Sequence, residues 1–179
     1  MGTDHYFSPT PPTGDEPKSS FTFVVDGRTV TLATDRGVFA RRGLDIGTEI
    51  LLDAAPRPPA RGNLLDLGCG SGAIALALAA RSPDATVFAV DVNPRAVELC
   101  LLNAKRNGLT NIVACLSNDI EPGLRFDAIW SNPPIRIGKT ELHALLSTWL
   151  SRLNDGATRS EEHTSELQSH LNLVCRLLL

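Results

Sequence analysis

The chain has 179 residues, 42% of them hydrophobic and 21% charged, with a formal net charge of −3. That balance fits one domain able to bury a real core, and it argues against an overall basic field for nucleic acid, so any RNA contact has to come from a local patch. No apolar run reaches membrane-spanning length and the N-terminus lacks a signal-peptide layout, which argues against membrane insertion and export.

Residues 1–20 are rich in Pro, Ser, Thr and Gly and read as a flexible N-terminus. Two strand-like runs follow, Phe21 to Val25 and Arg28 to Leu32, flanking Asp26-Gly27. Asp-Gly tolerates the positive φ that a tight hairpin turn requires, so a β-hairpin is predicted. Asp45 to Ala55 reads as a lead-in helix with Asp45 as N-cap and Pro56 beyond its end, and Pro56 to Gly62 reads as a linker. From Asn63 strands and helices alternate: strand Leu64–Leu67, helix Gly72–Arg81, strand Thr86–Val90, and a helix capped by Asn93 with Pro94 at its first position and Gly108 at its stop. Strand Ile112–Leu116, strand Phe126–Trp130 and a helix over Thr140–Leu153 complete the series. The alternation predicts a parallel sheet with helical crossovers.

The first strand runs into Asp66-Leu67-Gly68-Cys69-Gly70-Ser71-Gly72 and then a helix. Glycines there let a ligand approach the backbone, and the helix start offers free N–H groups. Asp91 ends the next strand, placed to accept hydrogen bonds from both hydroxyls of a ribose. Turn plus spaced acid points to an adenosine-containing cofactor. Gly68-x-Gly70-x-x-Ala73 also satisfies the NAD fingerprint, but a carboxylate inside the turn repels a pyrophosphate and suits a cationic amino-acid tail. S-adenosylmethionine carries such a tail and is the favoured cofactor.

Asn132-Pro133-Pro134-Ile135 follows the fourth strand of that series. Two prolines cannot continue a strand, and they stiffen the backbone at its C-terminal end, where open α/β sheets place ligands. The Asn132 amide and the Pro133 carbonyl would offer two acceptors to one amine; the plainer reading is a tight strand-to-helix loop. Cys69, Cys100, Cys115 and Cys175 form no CxxC pair and match no histidine set, so no metal is expected and a reducing cytoplasm is the natural home. Cys100, Cys115, Trp130 and Trp149 read as core residues.

The glycine turn, Asp91-Val92-Asn93 and Asn132-Pro133-Pro134 together resemble the class I S-adenosylmethionine-dependent methyltransferases. Phe21 to Leu153 resembles their "methyltransferase small" branch, which includes the enzymes that methylate guanine N2 in small-subunit ribosomal RNA. The segment Gly37 to Gly47 is similar to that branch's lead-in. The resemblance implies an α/β Rossmann-like sheet, mostly parallel and cut short at its C-terminus, with an N-terminal β-hairpin extension. It implies a hairpin and lead-in helix over 21–62 and the cofactor-binding domain over 63–158. Asp66, Gly68, Cys69, Gly70 and Gly72 would surround the methionine part of the cofactor, Asp91 would hold the ribose, Val92 would pack on adenine, and Asn118 or Asp119 would face the adenine amine. Ser117 to Asp119 reads equally well as a plain turn. Asn132, Pro133, Pro134 and Ile135 would form the catalytic corner.

Related amine methyltransferases often carry an aromatic residue where Ile135 stands, so stacking on the substrate base has to come from elsewhere, with Phe39 as a candidate. Arg41, Arg42, Arg136 and Lys139 are candidate phosphate contacts or ordinary solvated charge. The implied reaction is N-methylation of an exocyclic amine, guanine N2 of small-subunit rRNA first, with RNA as partner. A protein glutamine amide is the alternative substrate, and a catalytically dead cofactor-binding fragment the alternative of another class. Residues 159–179 are similar to translations that run into sequencing-adapter DNA and read as a non-native tail, possibly helical through Leu167, Leu171, Val174 and Leu178. On that reading the sheet lacks its last strands, and the chain as written is expected to be poorly stable and inactive.

Overall fold

The structure, a computed structural model, describes residues 17, 19–35, 43–132 and 139–154. Strands β1 (Ser19–Val25) and β2 (Arg28–Thr34) pair antiparallel as a hairpin. Its turn residues Asp26 and Gly27 have φ of 49° and 81°, the left-handed pair whose twist matches the flanking strands. The pairing extends two residues past the predicted ends, to Ser19↔Thr34, where the two hydroxyls share a 2.8 Å hydrogen bond. Ser19 and Ser20 therefore belong to the hairpin rather than to a loose terminus.

Helix α1 (Ile46–Ala54) starts where Asp45 Oδ1 accepts Thr48 N–H at 3.1 Å, the N-cap the sequence predicts. The alternating part follows as β3 (Arg61–Leu67), α2 (Ala73–Arg81), β4 (Asp84–Asp91), α3 (Pro94–Arg106), β5 (Ile112–Leu116), β6 (Ala128–Ser131) and α4 (Lys139–Leu150). The sheet order is β5-β4-β3-β6 with every pairing parallel. Strand β3 begins inside the predicted linker, because Arg61 and Gly62 pair with Asp84 and Ala85 of β4.

The sequence pattern places Phe126 at the start of the fourth strand of this sheet. Instead it bridges Leu153 in parallel: its N–H donates to the Arg152 carbonyl and its own carbonyl accepts Asn154 N–H, both at 2.9 Å. The predicted helix through Leu153 ends at Leu150 for the same reason, since the chain leaves α4 to make this bridge.

Strand β6 and the carboxyl half of β3 are buried on both faces, β4 largely so and β5 only partly, and the side chains divide by parity, as a two-faced sheet requires. Leu64, Val87, Ala89, Ala128 and Trp130 face the larger core with α1, α2 and the hairpin. Leu65, Leu67, Val90 and Ile129 face a second core closed by Phe126 and by Trp149 of α4. Trp130 and Cys100 are fully buried and Trp149 nearly so, whereas Cys115 is only partly covered.

The hairpin is fastened to α3 by two asparagines one helical turn apart. Asn107 accepts Thr31 N–H at 2.9 Å and donates to the Thr31 carbonyl at 2.7 Å. Asn103 does the same for Ala33, at 2.8 and 2.9 Å. Each side-chain amide thereby stands in for the missing neighbour strand, satisfying both polar groups of one residue of β2. The Asn103 amide also donates to the Ser71 carbonyl at 2.9 Å, tying hairpin, α3 and glycine turn at one buried side chain.

Candidate active site

Strand β3 lies between β4 and β6, and the chain adds strands on one side of β3 before returning to the other. Its carboxyl end is thus the switch point at which open α/β sheets leave a crevice. The glycine turn leaves β3 here, Asp91 closes β4, and Asn132 follows Ser131, which pairs with Leu67 at the last step of the β3–β6 register. Ser131 Oγ donates to the Leu67 carbonyl at 2.7 Å, so the three strand ends that carry the predicted site residues stand side by side.

The turn is held by its neighbours. Gly68 and Cys69 N–H donate to the Val90 carbonyl at 2.8 and 3.0 Å. Gly70 N–H donates to Asp91 Oδ2 at 2.9 Å, while Asp91 Oδ1 accepts Asn93 N–H at 2.9 Å. Asp91 therefore clamps the turn to the end of β4 before any ribose is considered, and each of its oxygens keeps a lone pair for a further donor.

Gly68, Gly70 and Gly72 all have positive φ, at 77°, 53° and 93°, but they do different work. A Cβ on Gly68 or Gly70 would meet nothing within 4 Å, whereas one on Gly72 would lie 2.7 Å from Cys100 Sγ. The first two leave an open cradle beside Asp91, and Gly72 instead lets α2 approach α3 closely. Val92, next to Asp91, is 83% exposed, an apolar side chain offered to solvent where an adenine is expected. The open cradle, the acid and this exposed valine fit an adenosine-containing cofactor.

Asp66 lies beneath the turn. It is fully buried, with Oδ2 accepting Ala75 N–H at 2.9 Å and no hydrogen-bond donor at Oδ1. It caps α2 from inside, a task the glycine at the N-cap position cannot perform with a side chain. Burial first, and the nearby Asp91 charge after the opposing Ala75 hydrogen bond, push its pKa up to about 8. Cys69 is also buried. Its thiol hydrogen bond with Cys100, then its burial, hold its pKa well above the ordinary thiol value, so it packs as a neutral group. Burial and then the Asp119 charge raise Cys115 to about 11.

Asn118 lies exposed in the turn after β5, one residue beyond Ser117, whose N–H donates to the Asp91 carbonyl at 3.0 Å. Asn132 turns its amide nitrogen toward α1, donating to Asp45 Oδ1 at 2.7 Å and to Thr48 Oγ1 at 2.9 Å. Pro133, Pro134, Ile135, Arg136, Phe39, Arg41 and Arg42, and the side chain of Lys139, lie outside the described residues. Asp45 is legible in the sequence as a cap, whereas its contact with Asn132 and the role of Asn103 are not. Neither link has a local signal, because each joins residues far apart in the chain.

Among the described residues no group of His, Cys, Asp and Glu side chains is arranged to hold a metal ion, and no helix is long and apolar enough to cross a membrane. Residues 29–157 match the methyltransferase small domain family. An uncharacterised Bacillus subtilis protein, YbxB, is 38% identical over 146 residues, covering 80% of this chain and 72% of the relative. Ribosomal RNA small subunit methyltransferase C of Klebsiella pneumoniae is 40% identical over 131 residues, covering 71% of this chain and 38% of that protein. The Salmonella choleraesuis enzyme of the same name is 40% identical over 136 residues and is spanned to 39% of its length. This chain thus corresponds to well under half of those two enzymes.

Among solved structures, Trm5b from Pyrococcus abyssi aligns with a TM-score of 0.55 at 25% identity, over 80% of this chain and 40% of that one. TYW2 of M. jannaschii, in complex with AdoMet, shares the fold with a TM-score of 0.54 at 23% identity, over 79% of this chain and 61% of that one. With its parallel sheet, its open glycine turn and a family match over most of its length, the chain belongs to the methyltransferase small domain family of S-adenosylmethionine-dependent methyltransferases.

Proposed function

We propose that the site in this chain is built to methylate an exocyclic amine in the cytoplasm, and that the amine is guanine N2 of small-subunit ribosomal RNA. The observation that carries this reading is the place of Asn132. It follows the last β3–β6 pair, Leu67↔Ser131, and so stands beside the glycine turn that begins at Gly68. The relatives named as small-subunit rRNA methyltransferases support the substrate class.

When bound, S-adenosylmethionine supplies an electrophilic methyl group on a sulfonium. Gly68 and Gly70 leave room for it, Asp91 offers oxygens to its ribose and Val92 an apolar surface to its adenine. At the corner, Asn132 Oδ1 would accept one N–H of the substrate amine, and the Pro133 carbonyl, outside the described residues, would be the acceptor for the other. An amine conjugated to a base has a delocalised lone pair, and accepting from both N–H groups localises and aims it. The gain is positioning plus electrostatics, on the order of several kcal/mol.

The test is labelled methyl transfer by the full chain to small ribosomal subunits, run beside a glutamine-bearing release-factor protein. Label in guanine N2 is the expected result; label in protein only would replace RNA by a glutamine amide. Cofactor binding by calorimetry without transfer to either would favour a non-catalytic binding module. Asn132→Ala should lower turnover about a hundredfold or more while leaving cofactor affinity within about threefold. Parallel loss of both would remove Asn132 from the catalytic role.

A further inference from the structure

The amide of Asn132 is chemically two-faced: its carbonyl oxygen accepts and its nitrogen donates. Only one orientation can serve an incoming amine, and a free asparagine adopts either. Asp45 and Thr48 remove that choice. The Asp45 carboxylate can only accept when ionised, so the NH2 end of Asn132 has to face it, as the 2.7 Å contact to Asp45 Oδ1 records. The second amide hydrogen meets Thr48 Oγ1 at 2.9 Å. Thr48 can accept there because its own hydroxyl proton is spent on Asp45 Oδ2 at 2.8 Å, and its backbone N–H binds Asp45 Oδ1 at 3.1 Å. The Thr48 side chain is buried, while the bonds it shares with Asp45 and Asn132 are part-buried.

We infer that Asp45 and Thr48 are positioning residues, which hold the amide nitrogen of Asn132 and so present its Oδ1 as a fixed acceptor to the substrate amine. This rests on the amine-methylation reading above. It extends that reading to substrate choice. With both amide hydrogens taken, the corner has no side-chain donor of its own at Asn132, so it favours a nucleophile that brings N–H groups over a bare ring nitrogen that needs a donor. One carboxylate thus starts helix α1 and sets the polarity of a residue 87 positions away.

Asp45→Ser separates the two tasks, because serine still caps a helix while its side chain is too short to reach Asn132. In 15N-labelled full-length protein, the side-chain NH2 signals of Asn132 are identified as the pair lost in Asn132→Ala. Asp45→Ser should move that pair among the exposed amides and speed its exchange about tenfold or more. An unmoved pair in a folded Asp45→Ser protein would overturn the inference. Should Asp45→Ser fail to fold, Thr48→Val keeps the shape, and it should shift one of the two protons only; no shift would again overturn it.

With an active preparation, Asp45→Ser should cut kcat about tenfold to a hundredfold, as misplacement of a reacting group does, with the cofactor KM held within about threefold. It should add nothing to the loss in Asn132→Ala; losses that multiply would show that Asp45 does not act through Asn132. Asn132→Asp sets two carboxylates against each other and should be inactive, and the exchange Asp45→Asn with Asn132→Asp should restore part of the rate. If Asn132→Ala itself keeps full turnover, the amine-methylation reading fails, while the amide signals still decide whether the clamp exists.

Discussion

A methyl group added at Gly72 and one added at Gly68 are the same chemical change with different physics. At Gly72 the new Cβ would sit 3.2 Å from the Cys100 Cα as well as against its sulfur, and φ is 93°. Neither a helix backbone nor a left-handed conformation yields cheaply, so Gly72→Ala should cost about 2–4 kcal/mol of stability, read by denaturant unfolding. Gly68→Ala meets nothing; it should cost only about 1–2 kcal/mol of backbone strain but weaken cofactor binding about tenfold or more in calorimetry, since it fills the cradle. Asp66 gives a pH signature. Its folded pKa of about 8 stands above the ordinary carboxylate value of 3.8, so between those limits the native state holds more proton than the unfolded chain. Its contribution to stability is complete below the unfolded pKa and fades as pH rises through the folded one. The melting temperature should therefore fall between about pH 5 and pH 8, and Asp66→Asn should flatten that slope; an unchanged slope would mean that Asp66 stays ionised.

At the scale of elements, the hairpin is bonded to α3 through Asn103 and to the C-cap of α3 through Asn107, whose carbonyl also accepts from Arg28. Asn103→Ala would orphan the Ala33 N–H, the Ala33 carbonyl and the Ser71 carbonyl in a buried place. A loss of about 3–5 kcal/mol is expected in equilibrium unfolding, against about 1–2 kcal/mol for Asn107→Ala, whose surroundings are only part-buried. Equal costs would show that burial does not decide the difference. The hairpin itself was legible in the sequence, because Asp26-Gly27 is a local turn chemistry; so were the Asn93 cap, with Asn93 Oδ1 on Arg95 N–H at 3.0 Å, and the Gly68–Asp91 spacing. Its docking was not legible, since an asparagine inside an amphipathic helix looks like any polar residue until the strand it binds is known. The buried place of Asp66 and the split among the three glycines were hidden for the same reason. Both depend on what packs against the turn, namely Ala75 of α2 and Cys100 of α3. Strand β6 lost Phe126 to Leu153, a tertiary pairing that overrides an apolar run suited to a strand.

Over the whole molecule, the sheet is most secure at its middle. Strands β3 and β4 are paired on both edges, while β5 has one partner among the described residues and is only partly covered. Hydrogen exchange should therefore be slowest at Leu64–Leu67 and Val87–Val90 and faster at Ile112–Leu116; protection that is uniform across the sheet would contradict this. The knot at Asn103 then carries a warning for genetics. Because one amide answers to both Ala33 and Ser71, damage to the hairpin will surface as weakened cofactor affinity. A screen for binding-deficient variants would return lesions in β2 that touch no ligand. A map drawn from such a screen would enlarge the pocket by an entire supersecondary unit that only supports it.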